Sequence, residues 1–130
     1  MTNYFNPQVI LFSADVERSV AFYRRLGFRE VFRVPTEGVP IHVDLELGGY
    51  QIGFASLESA REHHGLAPVE SGQRGTITLW THDTVAAYAE LVNEGVPGLS
   101  EPSEWLDRLL IAWVEDPDGH PVQIVQELPR

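Results

Sequence analysis

The sequence predicts an α+β fold made of two tandem βαβββ modules, and three observations carry that prediction. The segments opening at Asp15 and Asp83 echo each other: each begins with a helix N-cap residue, runs through helix-compatible sequence and closes on a glycine, Gly27 or Gly95. A short β-rich run precedes each helix, and three strand-like runs follow it. The chain has 130 residues, 43% hydrophobic and 22% charged, which suits one ordinary domain with a sizeable core and argues against disorder or fibrous structure.

In the first module, Val9-Ile10-Leu11-Phe12 reads as a strand. The helix from Asp15 carries Val16, Val20, Tyr23 and Leu26 as an apolar stripe at helical spacing. Strand-like runs follow over residues 28–34, 41–47 and 50–55. Residues 57–64 read as a short helix with His63 and His64 exposed near its end, and Gly65, Pro68 and Gly72 mark the loop that follows.

The second module begins with Thr76-Ile77-Thr78-Leu79-Trp80. The helix from Asp83 has its apolar stripe at Val85, Tyr88, Ala89 and Val92. A weak strand is expected over residues 96–99, an irregular stretch over 97–106, and strands over 109–114 and 122–126. Module one thus spans about residues 6–56, a linker 57–73 and module two 74–128. Neither half is expected to bury its sheet face alone, so residues 1–130 are read as one domain.

Composition excludes several functions. There is no cysteine, which removes disulfides, thiolate metal sites, iron–sulfur clusters and cysteine nucleophiles. Nineteen acidic against nine basic residues give a net charge of −10, the wrong sign for a nucleic-acid backbone. No apolar run reaches the roughly 18 residues of a membrane span, so no membrane partner is expected. Residues 1–5 lack the basic-then-apolar pattern of a secretory signal, which sets the expected location as the cytoplasm.

Two stretches carry a family resemblance: Asp15-Val16-Glu17-Arg18-Ser19-Val20-Ala21-Phe22-Tyr23-Arg24-Arg25-Leu26-Gly27-Phe28 and Glu115-Asp116-Pro117-Asp118-Gly119-His120-Pro121-Val122-Gln123-Ile124. With the internal echo, the chain resembles the vicinal oxygen chelate superfamily of glyoxalases, bleomycin resistance proteins and extradiol dioxygenases. The resemblance implies a curved, cup-like mixed sheet with helices on its outer face, and a homodimer with clefts near the subunit boundary. Physically, Asp-Pro-Asp-Gly is turn chemistry, with proline and glycine presetting the backbone, and Phe22-Tyr23 suits helix-to-sheet packing.

Enzymes of that superfamily hold a divalent metal with side chains from four strands. Carried over by the family's spacing, the ligand positions here are Gln8, Gly53, Thr76 and Gln123, two of them seven residues before the helix-opening aspartates. That set has neither carboxylate nor imidazole, so no metal and no cofactor are expected.

The run Ile41-His42-Val43-Asp44-Leu45-Glu46-Leu47 alternates strictly, which puts His42, Asp44 and Glu46 on one face and Val43 and Leu45 on the other. That polar face has three readings: a solvated sheet face, a ligand cavity of negative potential, or a metal site using His42 and Asp44. By the same parity, Gln8 shares a face with Ile10 and Phe12, and Thr76 with Thr78 and Trp80; Trp105 is placed as a lid or rim, and the face of Trp113 stays open.

These features predict a metal-free protein that sequesters a small molecule of cationic and aromatic character. Its ligand-binding residues would be Phe12, His42, Asp44, Glu46, Trp80 and Trp105, in the manner of the bleomycin and mitomycin resistance proteins it resembles. One alternative is a metal-dependent lyase, isomerase or dioxygenase with an unusual ligand set, or a metal-free enzyme using His42 with Asp44 or Glu46 as acid–base groups. The other is a protein-interaction module.

Overall fold

The echo in the sequence becomes two units with the same wiring, Met1–Glu70 and Ser71–Arg130, each built on a four-stranded mixed sheet. The structure, a computed structural model, describes residues 3, 5–73 and 75–129; Arg74, where the second module was expected to begin, lies outside them.

The first unit comprises β1 (Val9–Ser13), α1 (Val16–Arg25), β2 (Arg29–Val34), β3 (His42–Leu47), β4 (Tyr50–Ser56) and α2 (Leu57–Glu62). Strand order is β1-β4-β3-β2, with β1 parallel to β4 and the other pairs antiparallel. Asp15 caps α1 by accepting a hydrogen bond from the Arg18 backbone N–H at 3.1 Å, and Gly27, at φ +105°, turns the chain out of the helix.

The buried face of α1 is Val16, Val20, Phe22 and Tyr23, set against Val43, Leu45 and Phe54. Tyr23 is fully buried, with ring centroids 5.0 Å from Phe54 and 5.6 Å from Phe28. Each such apolar side chain contributes roughly 2–3 kcal/mol through burial. Arg33 ties helix to sheet, its Nη2 donating to Glu17 and to Glu30, both at 2.7 Å.

The second unit repeats the plan with β5 (Ile77–Trp80), α3 (Thr84–Asn93), β6 (Gly98–Trp105), β7 (Leu109–Glu115) and β8 (Pro121–Glu127), in the order β5-β8-β7-β6. Strand, helix and three strands therefore follow one another in both units, with the helices packed on the sheets. No helix among the described residues is long and apolar enough to cross a membrane.

Two expectations fail here. The inward face of α3 is Thr84, Ala87, Tyr88 and Leu91, while Val85 and Val92 are exposed. Thr84 fixes that rotation: its Oγ1 donates to the Leu110 carbonyl at 3.1 Å and its N–H to Gln126 Oε1 at 2.9 Å. The stretch expected to be irregular is strand β6, so Trp105 belongs to a strand end and not to a loop. Pro102 is tolerated because β6 lies at the sheet edge, and register shifts at Gly98/Ser100 and Ser100/Ser103 hide the alternation. Gly98 opens this strand because the Tyr88 hydroxyl of α3 occupies the space a Cβ would need.

Candidate ligand-binding site

Alternation along β3 divides the first sheet. Val43 and Leu45 turn toward α1, and the opposite face carries two cross-strand rows, Ile10–Gly53–Asp44–Phe32 and Phe12–Ala55–His42–Val34. The second row floors a cavity of about 790 Å³. Ile10, Phe12, Phe32, Val34 and His42 line it from the sheet, and Ser59, His63, His64 and Leu66 close one side from α2 and the turn after it. The volume lies in the range of small-molecule sites, and the walls are mainly apolar, as such sites require.

The polar part of this face is a hydrogen-bonded trio. Asp44 Oδ1 accepts from Gln8 Nε2 at 2.7 Å and from His42 Nε2 at 2.7 Å. The His42 ring stands edge-on to Phe32, with centroids 6.1 Å apart at 66°. Gly53 makes the trio possible, because a Cβ there would lie 2.5 Å from Asp44 Oδ1 and 3.2 Å from Gln8 Nε2.

The predicted site residues distribute unevenly. Phe12 and His42 line the cavity together, and Asp44 supports His42. Glu46 shares their face but is engaged elsewhere: its Oε1 accepts from the Gly49 N–H at 2.8 Å and its Oε2 from Arg29 Nε at 2.6 Å. These bonds, the Gly49 N–H first and then the Arg29 guanidinium, hold its carboxyl below the ordinary value of 4.5. Trp80 and Trp105 belong to the second unit and are exposed; Trp80 borders a separate hollow with Thr81, His82 and Gln126.

Sequence reasoning missed Phe32 and the α2 wall. A register shift between Glu30 and Phe32 breaks the alternation along β2 and brings Phe32, in place of Val31, opposite Asp44. His63 and His64 are exposed as expected, yet they border the cavity, and His63 Nδ1 is hydrogen-bonded to Ser59 Oγ at 2.8 Å.

The second sheet repeats the rows with different chemistry: Thr78–Gln123–Trp113, and Trp80–Val125–Ile111 beside it. This settles the face of Trp113, which it shares with Gln123 and Thr78. The four positions carried over as metal ligands do not fit a divalent ion. Gln8 gives its amide to Asp44, Gly53 has no side chain, Thr76 precedes β5, and Gln123 Oε1 accepts from Thr78 Oγ1 at 3.1 Å. Among the described residues, no group of three or more His, Asp or Glu side chains could hold a metal.

Two tandem βαβββ units, each a four-stranded mixed sheet with the same strand order, define the class of fold. The chain belongs to the Glyoxalase/Bleomycin resistance protein/Dioxygenase superfamily, whose family model matches residues 6–124.

Solved structures agree on the fold. TioX from Micromonospora sp. ML1 is 22% identical, with a TM-score of 0.75 over 93% of this chain and 97% of that one. Hypothetical protein SA1046 from S. aureus is 18% identical, with a TM-score of 0.79 over 96% and 95%. A superfamily member from Sphaerobacter thermophilus DSM 20745 is 28% identical, with a TM-score of 0.69 over 96% and 98%. Among curated proteins, none matches the chain significantly.

Proposed function

We propose that this protein binds and holds a small, aromatic, predominantly apolar molecule in the cavity of the first unit, without a metal ion. The supporting observation is the cavity itself: about 790 Å³, floored by the row Phe12–Ala55–His42 and walled by Ile10, Phe32 and Val34. The donor chemistry at the carried-over ligand positions supports the metal-free part. Asp44, held behind His42, together with the net charge of −10, favours a neutral or cationic ligand over an anion. An aromatic ligand burying about 200 Å² would gain roughly 5 kcal/mol from apolar burial, which before the cost of association corresponds to a Kd of about 0.2 mM and so points to a weak complex. The same reading makes the protein a cytoplasmic homodimer, its subunit number testable by sedimentation velocity.

Ala55 sits between Phe12 and His42 on the cavity floor, so Ala55→Phe should fill the space without adding charge. Calorimetric titration with neutral and cationic bicyclic aromatics should show binding to the wild type and at least about tenfold weaker binding to Ala55→Phe. Absence of binding to the wild type, or equal binding to both proteins, contradicts the reading.

A further inference from the structure

We infer that His42 Nδ1 is the hydrogen-bond acceptor of this cavity, and that the ligand class is an aromatic molecule carrying a hydroxyl donor, a phenol. This deepens the reading given under Proposed function and rests on it. An ionised carboxylate only accepts, so the 2.7 Å contact between Asp44 Oδ1 and His42 Nε2 puts the imidazole proton on Nε2. In the neutral ring, the lone pair then lies on Nδ1.

That atom has no hydrogen-bond partner among the described residues. No buried side-chain nitrogen or oxygen among them lacks a partner, so Nδ1 is open and not sealed in the core. It belongs to a residue that lines the cavity, next to the Phe32 ring.

The neighbouring polar groups sharpen the choice. His63 Nδ1 is already bonded to Ser59 Oγ, and Gln8 spends its amide on Asp44. His42 therefore offers a lone pair among apolar and aromatic walls, backed by a carboxylate. That arrangement accepts a hydrogen bond from an O–H and repels carboxylates and phosphates. Asp44 is the positioning residue: it fixes which nitrogen faces the ligand. Gly53 leaves the space in which Asp44 does so.

The test is a matched pair, 2-naphthol against 2-methoxynaphthalene, titrated calorimetrically into the wild type and into His42→Phe at about pH 8. The wild type should prefer the naphthol by about threefold to tenfold, the worth of one hydrogen bond. His42→Phe should lose that preference, binding the naphthol and the ether with equal affinity. The ¹⁵N resonance of His42 Nδ1 should move on adding the naphthol and stay in place with the ether. In Asp44→Ala the ¹⁵N spectrum should lose its single tautomer.

Equal affinities in the wild type, or a preference that survives in His42→Phe, overturns the acceptor role and leaves the cavity reading standing. Failure of both compounds to bind the wild type overturns both. If His42→Phe does not fold, the wild-type pair and its ¹⁵N resonances still decide.

Discussion

The Asp44 carboxylate occupies the place where a side chain at Gly53 would begin: an added Cβ would meet Oδ1 at 2.5 Å. These residues face each other across β3 and β4. A glycine on a central strand usually weakens a sheet, and here the space it leaves admits the acid that accepts from both Gln8 and His42. Gly53→Ala should push Asp44 aside and break those bonds, lowering stability by about 1–2 kcal/mol in urea titration. The His42 imidazole should at the same time lose its fixed tautomer by ¹⁵N NMR. An unchanged imidazole spectrum in a folded Gly53→Ala protein would show that the crowding has no consequence.

The hairpin joining β7 to β8 is held by one aspartate. Asp116 Oδ1 accepts from the N–H groups of Asp118 and His120 at 2.9 and 2.8 Å, and its Oδ2 from His120 Nδ1 at 2.8 Å, with both side chains buried. Asp116→Ala strands a buried imidazole and two turn amides, so it should cost about 3 kcal/mol. The midpoint of chemical denaturation should fall accordingly, and a loss under about 0.5 kcal/mol, the level of a plain surface substitution, would contradict this assignment.

Glu46 supplies a pH-dependent term. Its folded carboxyl titrates below the ordinary 4.5 because the Gly49 N–H, and after it Arg29, stabilises the anion. A depressed folded value means that the stabilisation is complete above the unfolded pKa and is lost as pH falls through the folded one. The wild type should therefore exceed Glu46→Gln in stability at about pH 6, with the gap narrowing as pH falls below the ordinary carboxylate range. A gap that persists at the acid end would point to packing and not to charge.

Much of the framework was legible in the sequence because it rests on local chemistry. Asp15 and Asp83 cap helices where expected, each accepting from an N–H three residues on. The strict alternation of residues 41–47 fixed which side of β3 meets the helix, since a one-residue slip would have buried Asp44 and exposed Val43. The rest depended on contacts distant in sequence. Thr84 turns α3 by bonding to Leu110 and Gln126, a rotation that apolar periodicity alone cannot reveal. Strand β6 contains a proline and two register shifts, so its period was invisible. Within the candidate site, His42, Asp44 and Phe12 followed from parity, whereas the diversion of Glu46 to Arg29 and the wall of residues 59–66 required the folded chain.

The segment that bridges the two repeats is also the outer boundary of the chamber. Helix α2 and the turn after it, fastened by the Leu66 N–H to the Ala60 carbonyl at 2.9 Å, contribute Ser59, His63, His64 and Leu66 to its lining. None of these side chains participates in the register of either sheet. Exchanges there can enlarge or narrow the hollow while both sheets keep their register, so its shape and the stability of the fold can vary independently.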